Sequence, residues 1–231
     1  SKAYRNYKDD LTNSRDYYDE FLVDSIFSVD SNFSQVVRNS LMLNFFNNSI
    51  GFGAKNEQYH YFQNHFIDET FESNYIVASV SDSLFNQGVS ARFEKGVSGY
   101  HEDELDLTAV VSFQEWKGIK SYFQASISRK QADYFLQNQR SSHNTFQEEF
   151  NTSKQSKLSV KTLIKKWNLS AEAGIQEYTD FIYFDTLRKP RQYAPSFTNL
   201  FVKLDFKLEF LRLMNLKNIV TVQQFSDNSV V

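Results

Sequence analysis

From Leu200 to Leu211 the chain alternates, with only Phe201 and Leu211 apolar among the residues of the second face. Leu200, Val202, Leu204, Phe206, Leu208 and Phe210 are apolar, and Lys203, Asp205, Lys207 and Glu209 lie between them. Successive side chains of an extended chain point to opposite sides. A strand here therefore carries six apolar groups on one face and four charges on the other, and it must divide two very different solvents. The same period of two recurs along the chain. Val89, Ala91 and Phe93 alternate with Ser90, Arg92 and Glu94, and Leu105, Leu107, Ala109 and Val111 alternate with Asp106, Thr108 and Ser112. Ile119 to Ser128, Lys157 to Lys165 and Leu169 to Gln176 repeat it, and weaker strands are read over Ser34 to Phe46, Ile50 to Gln63, Tyr75 to Phe85 and Asn218 to Phe225. Almost nowhere do apolar residues recur at three and four, so the chain reads as all-β.

This pattern predicts about ten strands, each near the nine to eleven residues that a tilted strand needs to cross hydrocarbon. Their connections alternate in length. Those near Asn47, Asn86, Glu115 to Gly118, Lys165 to Asn168 and Arg212 to Leu216 are short, whereas Asn64 to Asn74, His101 to Glu104, Phe135 to Asn144 and Asp185 to Ser196 read as the longer loops. Short turns on one side and long loops on the other suit an antiparallel up-and-down transmembrane β-barrel, of which these strands would be a part. Residues 1–32 then read as an outer loop with some extended structure, and residues 33–231 as barrel strands. Aromatic residues gather where strands meet turns: Phe85, Phe113, Trp116, Trp167, Tyr183 and Phe184 are candidates for a girdle at the membrane interface.

Composition closes off other classes. There is no Cys, which removes disulfide scaffolds, thiolate metal sites and thiol catalysis. Lys and Arg number 25 against 28 Asp and Glu, a formal net charge of -3. With no basic block there is no footprint for a phosphate backbone, and nucleic acid is not an expected partner. Mean hydropathy is -0.52, and no run of about 18 apolar residues is present to span a bilayer as a helix. The 23 Phe and 13 Tyr against 7 Gly and 2 Pro suit long strands rather than many tight corners. Neither end of the chain looks like a natural terminus of such a fold, so an internal piece of a longer protein is expected.

Several short motifs carry a resemblance. His143-Asn144-Thr145-Phe146, Ile182-Tyr183-Phe184-Asp185, Pro190 with Gln192, and Asn218-Ile219-Val220-Thr221-Val222-Gln223-Gln224 followed by Ser226-Asp227 occur in the order found in the Bacteroidota-type "putative porin" family. The chain resembles that family over roughly residues 30 to 231. The resemblance implies an outer-membrane β-barrel in a bacterial envelope, brings no catalytic residues with it, and implies a segment of a longer barrel.

If the apolar stripes face lipid, Arg92, Glu94, Asp106, Lys120, Glu172, Lys203, Asp205, Lys207 and Glu209 face the lumen. Mixed signs there would give a weakly selective channel for small polar solutes. They would instead pair across strands in an occluded barrel that serves as a structural or docking subunit of a larger outer-membrane complex. A soluble β-barrel or sandwich with the apolar stripes inward shows the same period. Lys95 has the parity of the apolar face and is expected to snorkel at the rim or to mark a bulge. No metal site is expected from the scattered His60, His65, His101 and His143, nor any cofactor. Ser141, Ser142, His143 and Asn144 do not make a catalytic arrangement, because in an extended chain His143 and Asn144 diverge; no enzyme is expected. The partners expected are outer-membrane lipid, including lipopolysaccharide, and the other subunits of an outer-membrane complex.

Overall fold

The computed structural model describes residues 2–10, 27–47, 49–63, 67–84, 87–140, 145–186, 189–210 and 214–226. Eleven strands form one antiparallel sheet: β1 (Lys2–Asp10), β2 (Phe27–Phe45), β3 (Ile50–Gln63), β4 (Ile67–Leu84), β5 (Gln87–Gly99), β6 (Leu105–Ser112), β7 (Ile119–Lys130), β10 (Ser153–Ile164), β11 (Leu169–Thr179), β14 (Phe197–Phe210) and β15 (Met214–Phe225). Each pairs with the next in that order. The sheet is thus a simple up-and-down meander, as the period of two predicts, and it suits the wall of a barrel. β1 and β15 do not pair with each other among the described residues. Two excursions interrupt it at one end. A short helix α1 (Tyr134–Gln137) and the hairpin of β8 (Asn138–Arg140) and β9 (Thr145–Gln147) lie between β7 and β10, and the hairpin of β12 (Phe181–Phe184) and β13 (Pro190–Tyr193) lies between β11 and β14.

Register shows which residues share a face. Across β5, β6, β7, β10, β11 and β14, Ala91 sits opposite Ala109, then Ala125, Leu158, Ile175 and Leu200 in one row. The next row runs Val89, Val111, Phe123, Val160, Ala173 and Val202. The band continues through Leu41, Leu43 and Phe45 of β2, Phe52 and Ala54 of β3, and Ile76, Ala78 and Val80 of β4. From Ile119 to Ile127 the band on β7 covers nine residues, about 27–30 Å along the strand at roughly 3.3 Å per residue. A tilted strand of that length crosses hydrocarbon.

The turns at the band's lower end are tight. Lys117 and Gly118 both have positive φ, 49° and 82°, and Trp116 and Ile119 exchange both backbone hydrogen bonds at 3.0 and 2.9 Å across them. That is the two-residue turn whose twist matches a hairpin.

At the other end the strands run longer than crossing a membrane requires. β2 has 19 residues and β4 has 18, and the stretch 64–74, expected as a long loop, is mostly strand, with β4 beginning at Ile67. The reason is a change of polarity along the strands. Below a row of Asn39, Asn56 and Asn74, the apolar residues lie mostly on the lipid-type face, Tyr75 and Val77 being buried on the other. Above it, Asp68, Thr70 and Glu72 occupy that face, while Tyr59, Tyr61 and Phe71 occupy the other. A strand with its greasy side reversed above the band reads as irregular in sequence. Asn56 marks the crossing, its amide donating to Asn74 Oδ1 at 2.8 Å and Glu72 Oε1 at 2.6 Å. Segment 1–32 contributes β1, paired with β2 from Lys2 opposite Gln35 to Asp10 opposite Phe27.

Candidate functional site

The two faces are buried in the opposite sense to a soluble protein. Leu41 is 69% exposed, Val222 65% and Phe52 57%, whereas on the polar face Glu57 is 3%, Ser159 3% and Asn199 1% exposed. Side chains on the polar face crowd together, as on the concave side of a curved sheet, and those on the apolar face stand apart.

The tightest group on the polar face lies where β2 to β6 rise past the band. Arg38 of β2 is opposite Glu57 of β3, and its Nε donates to Glu57 Oε1 at 2.5 Å. Lys55 Nζ lies 3.2 Å from Glu57 Oε1 and also bonds Glu94 Oε1; it sits 3.9 Å from the centre of the Tyr75 ring. Tyr59 donates its hydroxyl to Glu57, and Arg92 Nη2 reaches Glu94 Oε2 at 3.2 Å. These residues, with His101, Glu104, Asp106 and Lys130, line a polar basin of about 400 Å³. A carboxylate as buried as Glu57 requires such donors, because desolvating an unpaired charge is costly.

Above the basin the chain folds back over the polar face. Gly96 and Gly99 allow the turn 100–104 to close on the sheet: a Cβ on Gly96 would meet His101 O at 1.9 Å, and Gly99 has φ of 87°. His101 is thereby buried, its Nδ1 3.0 Å from Ser73 Oγ and its ring centre 4.7 Å from that of Tyr59. The segment 131–137 covers the same face. Tyr134 stacks on Tyr61 at 5.2 Å and packs against Phe71 at 4.8 Å. Tyr61 OH donates to Asp133 Oδ2 at 3.5 Å, Tyr100 OH to Ala132 O at 3.2 Å, and Gln137 Nε2 to Tyr100 OH at 2.5 Å. The β12–β13 hairpin is tied to this layer, since Gln192 bonds both the N–H and the carbonyl of Asn151 at 2.9 and 2.8 Å and Arg191 Nη1 reaches Glu148 Oε1 at 3.0 Å.

His101 and Glu104, in the turn outside the membrane band, are shifted in opposite directions. Burial holds His101 below its ordinary value and pushes the Glu104 carboxyl up, although Gln131 N–H and Tyr75 OH donate to that carboxylate. The two signs separate in variants. In Glu104→Gln only His101 remains, and an opened turn binds its proton more readily, so the closed layer is lost as pH falls below about 6.5. In His101→Asn only Glu104 remains, and the closed layer weakens as pH rises through the raised carboxyl value. Limited proteolysis of segment 131–137 against pH measures both; equal profiles in the two variants would refute the assignment.

Register puts Arg92, Glu94, Asp106, Lys120, Glu172, Lys203, Asp205, Lys207 and Glu209 at positions of the polar face. Arg92, Glu94 and Asp106 line the basin, whereas Glu172 pairs with Lys157 Nζ at 2.7 Å and Asp205 lies 3.6 Å from Lys217 Nζ further round the sheet. Sequence reading missed Arg38, Lys55, Glu57 and Tyr59, although the period of two in β3 carries the last three. Among the aromatic candidates, Trp116, Trp167 and Phe184 are 66%, 61% and 61% exposed, and Phe113 and Tyr183 are also exposed. Trp116 and Trp167 stand in turns at the same end, Tyr183 and Phe184 at the other. Phe85 lies outside the described residues, as do Ser141, Ser142, His143 and Asn144. Lys95 is on the apolar face beside a bulge that sets Asn74 opposite Ser98 and Tyr75 opposite Gly96; its Nζ donates to Glu102 O at 2.9 Å.

An antiparallel meander that exposes its apolar face and crowds its polar one is the wall of an outer-membrane type of β-barrel. The family model described as "putative porin" matches residues 1–231, the whole chain, and the chain belongs to that family. It matches no curated protein and no solved structure. Membership supports a porin-like role at the outer membrane.

Proposed function

We propose that this chain forms part of the wall of a non-enzymatic channel through which small polar solutes diffuse passively across the bacterial outer membrane. The observation that carries it is the inverted burial: exposed Leu, Val, Ile and Phe on one side, buried Glu57, Ser159 and Asn199 with the half-buried ion pairs Lys55–Glu94 and Lys157–Glu172 on the other. On this reading the apolar band meets lipid, Arg92, Glu94, Asp106, Lys120, Glu172, Lys203, Asp205, Lys207 and Glu209 line the lumen with Arg38, Lys55 and Glu57, and Phe113, Trp116, Trp167, Tyr183 and Phe184 lie at the interfaces. Charges of both signs leave the lumen hydrated and weakly selective. The test is planar-bilayer conductance of purified protein, with reproducible unit steps expected. Insertion without steps would overturn the channel and favour an occluded barrel acting as a docking subunit, a reading favoured by the layer of loops tied over one end.

Lys55 sets the sign of the basin, because it stands between Glu57 and Glu94. Lys55→Met leaves those carboxylates with less positive charge, and the permeability ratio of cation to anion rises by about two-fold or more. A reversal potential that does not move under a salt gradient would show that ions pass elsewhere.

A further inference from the structure

We propose that the apolar face of β7 and β10 holds a membrane lipid bearing a phosphate headgroup, with the phosphate between Arg129 and Lys154 and an acyl chain in the groove beneath. The proposal rests on the reading of this face as lipid-facing. Register sets Lys95 opposite Leu105, Leu105 opposite Arg129, and Arg129 opposite Lys154, so one row at the border of the band carries three cations on four adjacent strands. Like charges directly opposite each other in a sheet are destabilising. Lys95 is offset by Glu102 O at 2.9 Å and Asp103 at 4.0 Å. Arg129 and Lys154 are exposed, Arg129 also bordering the polar basin at the rim, and neither has an ion-pair partner among the described residues. The carboxylate on the same face, Glu177, lies one row nearer the band and accepts from Ser156 Oγ at 3.5 Å. An anion from outside the chain satisfies the pair.

The surface below selects what carries that anion. Ala109 and Ala125 are directly opposite each other, and their short side chains leave a groove of about 450 Å³ walled by Leu107, Ile127, Leu158 and Ile175, with Ser156 and Glu177 at its end nearest the cations. The groove begins one row inside the Arg129–Lys154 pair. Headgroup phosphates lie at the border of the hydrocarbon, where long cationic side chains reach them. A phosphate joined to an alkyl chain fills both features, whereas inorganic phosphate fills only the first.

The experiment is native mass spectrometry of the folded protein from micelles doped with either phosphatidylglycerol or phosphatidylcholine. Wild type is expected to retain the anionic lipid over the zwitterionic one by roughly ten-fold or more. Arg129→Gln with Lys154→Gln abolishes that preference, and Ala109→Leu with Ala125→Leu lowers retention although both cations remain. Equal retention of the two lipids by wild type, an undiminished preference in the double Gln variant, or displacement of the lipid by inorganic phosphate would each overturn the proposal. Heat-modifiable migration and bilayer insertion are measured on the same samples. A variant that folds and inserts while its lipid preference is unchanged refutes the lipid site alone, whereas wild type that never inserts refutes the lipid-facing surface and the site with it.

Discussion

Replacing Ala132–Gln137 by a Gly-Ser linker of equal length raises the single-channel conductance about two-fold or more, the gain expected when the narrowest section of an aqueous pore is widened. An α-helical turn with its side chains is roughly 10 Å across, and α1 rests on the polar face at the level of Tyr61, Phe71 and Tyr100. Its anchors are aromatic contacts and a few hydrogen bonds, and the strands beneath are joined by their own ladders. The sheet is therefore expected to survive the exchange, with heat-modifiable migration unchanged. A smaller step, with Tyr61→Ala and Tyr100→Phe together, frees the same segment without shortening the chain and raises conductance in the same direction. Conductance that stays at the wild-type value in both variants would place the ion path away from this end of β3 to β7.

Val160→Lys has the largest expected effect on stability. Val160 lies in the middle of the apolar band, 48% exposed, between Phe123 and Ala173. A lysine at the mid-plane of a lipid-facing strand costs about 2–4 kcal/mol. Its neighbour Lys161 faces the other way, opposite Tyr122 and Glu172. Lys161→Val stays within roughly 1 kcal/mol, since an exposed polar-face lysine without a tight partner contributes little. Guanidinium titrations of protein folded into lipid vesicles read both. If Val160→Lys were tolerated and Lys161→Val damaging, the faces would be reversed, and a sandwich with its apolar side inward would replace the barrel wall.

Across the sheet strands β5, β6, β7, β10, β11 and β14 the fold was legible, because a period of two is a property of the backbone: wherever one side of a strand meets lipid and the other water, alternation must follow. The strands from Val89 to Phe206 and their short turns come out of this directly. Legibility failed between residues 64 and 74, and the cause is solvent rather than chain geometry. Above the Asn39–Asn56–Asn74 row both faces need groups that tolerate water, and the aromatic side turns to the loops. Residues Asp68 to Asn74 then carry a strand with no lipid stripe to announce it.

The basin was half legible. Arg92, Glu94 and Asp106 follow from parity on strong strands, and Lys55 and Glu57 were within reach of the same argument on β3. His101 and Glu104 were not, since a turn has no parity, and only Gly96 and Gly99 folding residues 100–104 against Ser73 brings them onto the polar face.

Alternation along single strands thus settled the class of structure, the two faces and the absence of a helical span, all properties that neighbours in the chain impose on one another. Which face is crowded, which charges meet, and that α1 and the β12–β13 hairpin lie over one end were decided by the tertiary structure. Those contacts join residues as far apart as Tyr61 and Tyr134, or Asn151 and Gln192, and a period of two holds no record of which distant strand or loop will close on it.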